Sequence, residues 1–126
     1  MDLLLIEGAD DVPKITLDKN KGTFEFEGKS LPEDVIEFYS PVFKWCEEYA
    51  KDPNPVTDVK MKISYYNSAS QRAINEIFTI LKKAELRNGK VTINWYYDED
   101  DEEMLESGEE FADITNLNFN YISYQP

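Results

Sequence analysis

Apolar residues recur with two different periods along this chain, and the changes of period mark out its elements. Ile15 and Leu17 alternate with polar neighbours, and so do Phe24 and Phe26. Lys19-Asn20-Lys21-Gly22 stands between them. Lys14–Asp18 and Thr23–Glu27 are therefore expected to form an antiparallel hairpin, with Gly28-Lys29-Ser30 closing it. From Leu31 to Lys51 the period becomes helical, through Val35, Phe38, Tyr39, Val42, Phe43, Cys46 and Tyr49. Pro41 is expected to bend this helix or to restart it with Ser40 as cap, and Asp52-Pro53-Asn54-Pro55 ends it. Val56–Tyr65 reads as a strand, with Val59, Met61, Ile63 and Tyr65 alternating. A second helix starts near Ser70, carries Ala73, Ile74, Ile77, Phe78, Leu81 and Ala84 as its core stripe, and stops at Asn88-Gly89. Val91–Tyr97 is a strand rich in β-branched and aromatic residues. An acidic run, Asp98–Glu103, leads into a third helix over Met104–Asp113, and Leu117–Tyr124 is the last strand.

The order β-β-α-β-α-β-α-β predicts an α/β fold, a mixed sheet with right-handed crossovers and helices packed on it. It fits a single domain over residues 1–126, in which residues 1–12 form a loosely ordered arm. Val91-Thr92-Ile93-Asn94-Trp95 suits a parallel strand covered on both faces. Alternation puts Trp95 or Tyr97 in the core and Tyr96 on the opposite side. Trp45 falls off its helix's apolar stripe, so it packs under the N-terminal hairpin or anchors an interface.

Charge and composition narrow the functions. The chain has 126 residues, 41% of them hydrophobic, which is enough for a core. Its net charge is -13, which repels phosphate backbones and anionic membranes and favours partners with basic patches. Nucleic acid and membrane insertion are thus not expected. There is no histidine, which removes imidazole catalysis and histidine metal sites; no cofactor is expected. Cys46 cannot form an internal disulfide and lies on an apolar stripe. Met1–Glu7 lacks the basic start and the cleavage site of a signal peptide, and no apolar run approaches membrane-spanning length. A reducing cytoplasm fits these features.

The junction Ile63-Ser64-Tyr65-Tyr66-Asn67-Ser68-Ala69-Ser70-Gln71-Arg72 carries the most chemistry. It places a hydroxyl cluster where a strand hands over to a helix N-terminus, with free N–H groups and the positive end of the helix dipole. Asn67, Ser68 and Ser70 are good capping residues, and the same place can hold a phosphate. The run Asp98–Glu103 fails as an EF-hand, because the sixth position of such a loop needs glycine and holds Glu103. It reads instead as a solvated loop that puts negative charge on a helix start, or as a partner-facing acidic patch.

Gly28-Lys29-Ser30-Leu31-Pro32-Glu33, Tyr65-Tyr66-Asn67-Ser68-Ala69-Ser70 and Val91-Thr92-Ile93-Asn94-Trp95-Tyr96-Tyr97-Asp98 together resemble the SiaC family of bacterial regulatory phosphoproteins. The resemblance runs from about Val12 to Ile122. It implies a STAS-like fold, similar to the anti-sigma-factor antagonists. It further implies a non-catalytic switch, phosphorylated by a dedicated kinase and dephosphorylated by a PP2C-type phosphatase. The unmodified form would bind and activate a diguanylate cyclase, and phosphorylation would break that partnership. By position the acceptor is Ser68, where the family often has threonine. A register shifted by one residue places Ala69 at the site and leaves Ser70 as the acceptor. Asn67, Gln71, Arg72 and Asn75 surround the junction as phosphate-supporting or partner-binding residues. Two other readings stand beside this one: an anti-sigma-factor antagonist in a pathway ending at transcription, and a small metal-dependent hydrolase using the acidic run.

Overall fold

The computed structural model describes residues 1–87 and 89–126. The elements are β1 (Leu4–Ile6), β2 (Lys14–Asp18), β3 (Thr23–Ser30), α1 (Val35–Lys51), β4 (Val56–Tyr66), α2 (Ser68–Leu86), β5 (Lys90–Asp98), α3 (Glu102–Thr115) and β6 (Asn118–Tyr124). Six strands form one sheet in sequence order. The pairs β1–β2 and β2–β3 are antiparallel, and β3–β4, β4–β5 and β5–β6 are parallel. The mixed α/β architecture is the one the periodicity predicts. The N-terminal segment departs from expectation: instead of a loose arm, Leu4–Ile6 adds an edge strand to the sheet.

The sheet is covered on one face, not two. Each parallel step moves one strand in the same direction, and crossovers share one hand, so all three helices land on the same side. Across the sheet, Ile15, Phe26, Met61 and Trp95 are register partners and all lie in the core. The neighbouring row on the other face, Thr16, Glu25, Lys60, Asn94 and Asn120, is polar, with exposed Leu5 beside Thr16 at the β1 edge. Asn94 inside the β5 run is thus a residue of the open face. Trp95 is buried, Tyr97 packs at the core's margin, and Tyr96 lies opposite beside Lys60.

Helix α1 does not restart at Pro41. It runs unbroken from its N-cap Asp34, whose side chain accepts from the Glu37 N–H at 3.1 Å. Glu37 and Pro41 are both exposed, so the carbonyl that loses its donor faces water. Tyr39, Val42, Cys46 and Tyr49 hold the two halves to one core. Trp45 packs beneath the N-terminal strands: its ring stacks on Tyr49, and its Nε1 donates to the Asp2 carbonyl at 2.8 Å. Helix α2 buries the whole expected stripe and adds Ile80. Its C-cap is Arg87. Asn88, expected as part of the stop, lies outside the described residues. Gly89 keeps an ordinary φ; a Cβ there would sit 3.0 Å from the Ala84 carbonyl oxygen, so the glycine serves a close approach.

Parallel pairing places the C-terminal ends of β3, β4, β5 and β6 along one edge of the sheet. The N-termini of α1, α2 and α3 follow β3, β4 and β5 at that edge. The candidate site sits there.

The strand-to-helix junction at Ser68

One extra residue sets up the junction. Gly28 of β3 pairs with Ile63, but the next residue, Lys29, pairs with Tyr65. Ser64 is left over as a bulge. The inward parity of β4 therefore jumps from Ile63 to Tyr66. Tyr66 turns its ring against Trp95 and Phe111, and Tyr65 is 55% exposed. Alternation alone had put Tyr65 on the core side, and the bulge reverses this. Opposite Tyr66 stands Ser30, the last residue of β3. Gly28-Lys29-Ser30, expected to close a hairpin, instead extends β3 to this point.

Helix α2 begins two residues earlier than expected. Asn67 is the N-cap: its Oδ1 accepts from the Ser70 N–H at 2.9 Å, and its carbonyl accepts from the Gln71 N–H at 2.9 Å. Ser68 is the first helical residue and is exposed. No side chain in the first turn carries a negative charge, so α2's own residues leave the dipole's positive end uncompensated.

Ser70, the alternative acceptor, is fully buried. Its Oγ donates to the Ser30 carbonyl at 2.9 Å and accepts from Ser30 Oγ at 2.9 Å. Ser30 Oγ has thus spent its one proton, so Tyr39 Oη is the donor in the 2.6 Å contact between them. The chain Tyr39 to Ser30 to Ser70 to the Ser30 carbonyl is closed, with every proton placed. Burial pushes the Tyr39 hydroxyl pKa above its ordinary value. In this conformation the Ser70 hydroxyl is out of reach of a kinase.

Three depressions surround the exposed start of α2. A cleft of about 380 Å³ between α2 and α3 is lined by Ser68, Gln71, Tyr66, Ser107, Asp101 and Glu103, among others. A hollow of about 600 Å³ beside it brings Ser68, Gln71, Arg72 and Asn75 together with Phe111 and Ile114 of α3. On the other flank of α2, a groove of about 760 Å³ lies against α1, with Val35, Ile36 and Phe43 facing Ala69, Arg72, Ala73 and Glu76. Arg72 borders both flanks. It makes no ion pair among the described residues.

Of the sequence-selected residues, Ser68, Asn67, Gln71 and Arg72 are exposed and close together. Asn75 is half-buried, and its Oδ1 has no hydrogen-bond partner among the described residues. The Tyr66 hydroxyl is likewise buried without a partner; neighbouring Ser107 donates instead to the Glu103 carbonyl at 2.9 Å. Burial raises the Tyr66 pKa, and the charges of Glu110 and Asp101 add to this. Sequence reading missed Ser30, Tyr39 and Tyr66. The motif Gly28–Glu33 contained the first and the motif Tyr65–Ser70 the third, while nothing local marked Tyr39 as more than a residue of the α1 stripe.

The acidic run is occupied with structure. Asp101 caps α3, accepting from the Met104 N–H at 3.0 Å, and Asp98 accepts from the Asp100 N–H at 2.9 Å. Glu102 and Glu103 form the first turn of α3, where negative charge is stabilised. Among the described residues no group of histidine, cysteine or carboxylate side chains converges to hold a metal ion. Nor is any helix there long and apolar enough to cross a membrane.

Solved structures share this arrangement over nearly the whole chain. Apo-SiaC from Pseudomonas aeruginosa superposes with a TM-score of 0.88 at 27% identity, covering 97% of this chain and 99% of that one. SiaC in the complex of the diguanylate cyclase SiaD with its activator SiaC, from the same organism, gives the same TM-score and identity over 96% and 99% of the two chains. An uncharacterized protein of Pseudomonas aeruginosa strain UCBPP-PA14 is 29% identical over 116 residues, 92% of each chain. The family model described as SiaC family regulatory phosphoprotein matches residues 6–124. Fold and sequence thus converge, and the chain belongs to the SiaC family of regulatory phosphoproteins.

Proposed function

We propose that Ser68 is the phosphoacceptor of this chain and that its modification switches binding to an output enzyme. The observation that carries this is the contrast at the start of α2: Ser68 is exposed at the first helical position, while Ser70 is locked in a buried hydroxyl chain. The output enzyme is a diguanylate cyclase, by analogy with the SiaD–SiaC complex of the relative. The unmodified form binds and activates it. A protein kinase adds the phosphate and a PP2C-type phosphatase removes it, in the cytoplasm. The chain itself catalyses nothing.

The physics of the switch is local. Phosphate adds about -1.5 to -2 charges at neutral pH. Free N–H groups and the dipole at the α2 start stabilise an anion by about 0.3–1 kcal/mol, so the fold survives the modification. Arg72, one turn along, supplies a cation without giving up an existing ion pair among the described residues. A partner surface fitted to the neutral hydroxyl meets an uncompensated dianion, a mismatch that commonly costs about 2–5 kcal/mol, or roughly 30- to several-thousand-fold in affinity.

The test is a side-by-side recovery of partners from the native cytoplasm, followed by affinity measurement with the recovered cyclase. Wild type and Ser68→Ala bind equally, phospho-Ser68 does not bind, and Ser68→Asp is weakened only partly, since a carboxylate has less charge and fewer acceptor oxygens. Equal affinity of the phosphorylated and unmodified proteins ends the reading.

A further inference from the structure

Ser70 is held at two atoms that belong to different networks. Its N–H donates to Asn67 Oδ1, beside Ser68. Its Oγ is bound into the buried chain that runs through Ser30 to Tyr39 of α1. We propose that this chain is a linkage that carries the state of Ser68 into α1, and so into the wall of the α1–α2 groove. The proposal rests on the reading of Ser68 as the phosphoacceptor.

A phosphate on Ser68 occupies the same turn as the Ser70 N–H. A doubly charged acceptor competes well against the neutral amide oxygen of Asn67 for that donor. Asp101 and Glu103 line the α3 side of the cleft and repel the phosphate, while Arg72 attracts it along α2. The repulsion turns the phosphate away from the start of α3, and Arg72 holds it against the first turns of α2. When the Ser70 N–H turns toward it, Ser70 Oγ turns as well.

The linkage has no slack to absorb that turn. Its three hydroxyl contacts are 2.6, 2.9 and 2.9 Å long, and Ser30, Ser70 and Tyr39 are at most 1% exposed. Water cannot replace a broken member, and a buried hydroxyl left unpaired is costly. The chain therefore moves as a unit and displaces Tyr39. The Tyr39 ring stacks on Phe43 at 6.2 Å, and Phe43 lines the groove. A modification on the α3 flank of α2 is thus felt on its α1 flank, where the protein presents apolar surface.

The test uses the full chain with phosphoserine installed at position 68 during synthesis, so it needs no kinase and no partner. Hydrogen exchange and amide NMR shifts are compared with the unmodified protein. In the wild type the phosphate should alter α1 amides over 35–43, with exchange changed by about fivefold, the size of one hydrogen bond. In Tyr39→Phe and in Ser70→Ala, which remove opposite ends of the linkage and keep the packing volume nearly intact, the response should stop within α2. An unchanged α1 in the phosphorylated wild type overturns the linkage. So does an α1 response that persists in both variants. Failure of every native kinase to modify Ser68 counts against the functional reading alone.

Discussion

Ser68 and Ser70 lie two residues apart in the first turn of α2, and their hydroxyls occupy opposite surroundings, one open to solvent and one fully buried. Helical geometry requires this: two residues are separated by about 200° around the axis, so one side chain faces out when the other faces in. The same sequence read as a loop would offer both serines to a kinase.

Of these two serines, only Ser68 should therefore be phosphorylated in the folded chain. Mass spectrometry after incubation with the cognate kinase should place the phosphate there, Ser68→Ala should abolish it, and Ser70→Ala should leave it. Phosphate found on Ser70 would mean that the first turn of α2 opens during modification.

Asn67 closes the start of α2 through its side chain. Asn67→Ala should lower stability by about 1 kcal/mol, read from a denaturant midpoint at unchanged slope, while Asn67→Asp or Asn67→Ser should retain most of it. An alanine variant as stable as the wild type would show that the cap is dispensable.

Gly108 is where α3 lies flat on the core. A Cβ there would come within 2.6 Å of the Trp95 ring, whose Nε1 donates to the Met104 carbonyl at 2.9 Å. The indole is pinned on both sides and cannot retreat. Gly108→Ala should destabilise by about 1–3 kcal/mol, despite the better helix propensity of alanine, and urea titration measures it.

Cys46 should be inert in the native protein. Burial raises its thiol pKa from 9.0 to about 12, with the Glu47 charge adding to the effect. The folded state keeps a proton that the unfolded state has lost above pH 9, so this group's linkage lowers stability as pH rises from about 9 toward 12. Alkylation by iodoacetamide at pH 8 should follow global unfolding; rapid labelling of the native chain would contradict the burial.

Most of the fold was legible because its elements are long and strongly periodic. The stripe Ala73, Ile74, Ile77, Phe78, Leu81, Ala84 and the alternation of Val59, Met61 and Ile63 appear in the structure as read. What escaped reading was decided by tertiary partners. Leu4–Ile6 is too short to signal a strand alone and becomes one by pairing with β2. Pro41 looked like a break because local rules price the lost hydrogen bond but not the core contacts on both sides of it. One-sided coverage of the sheet followed from the uniform direction of the crossovers, which single strands do not encode. At the site, Ser68 and Asn67 were visible as motif residues, and Tyr39 was not: its role depends on a contact with Ser30, and Ser30 meets Ser70 across 40 positions of chain.

The bulge at Ser64 takes up chain length rather than specifying a side chain. Its side chain is exposed and enters no hydrogen bond among the described residues, so exchanging it for another polar residue should pass unnoticed. Removing it would restore strict alternation with Tyr65 still opposite Lys29 and Tyr66 still turned inward opposite Ser30, and would relax the local twist from which α2 takes off. A substitution scan would score position 64 as silent, and a deletion would test the bulge's twist alone, with every inward side chain of β4 kept in place. For this chain, β4 carries one residue more than its partner β3 and still delivers Tyr66 inward opposite Ser30, because the bulge takes up the difference.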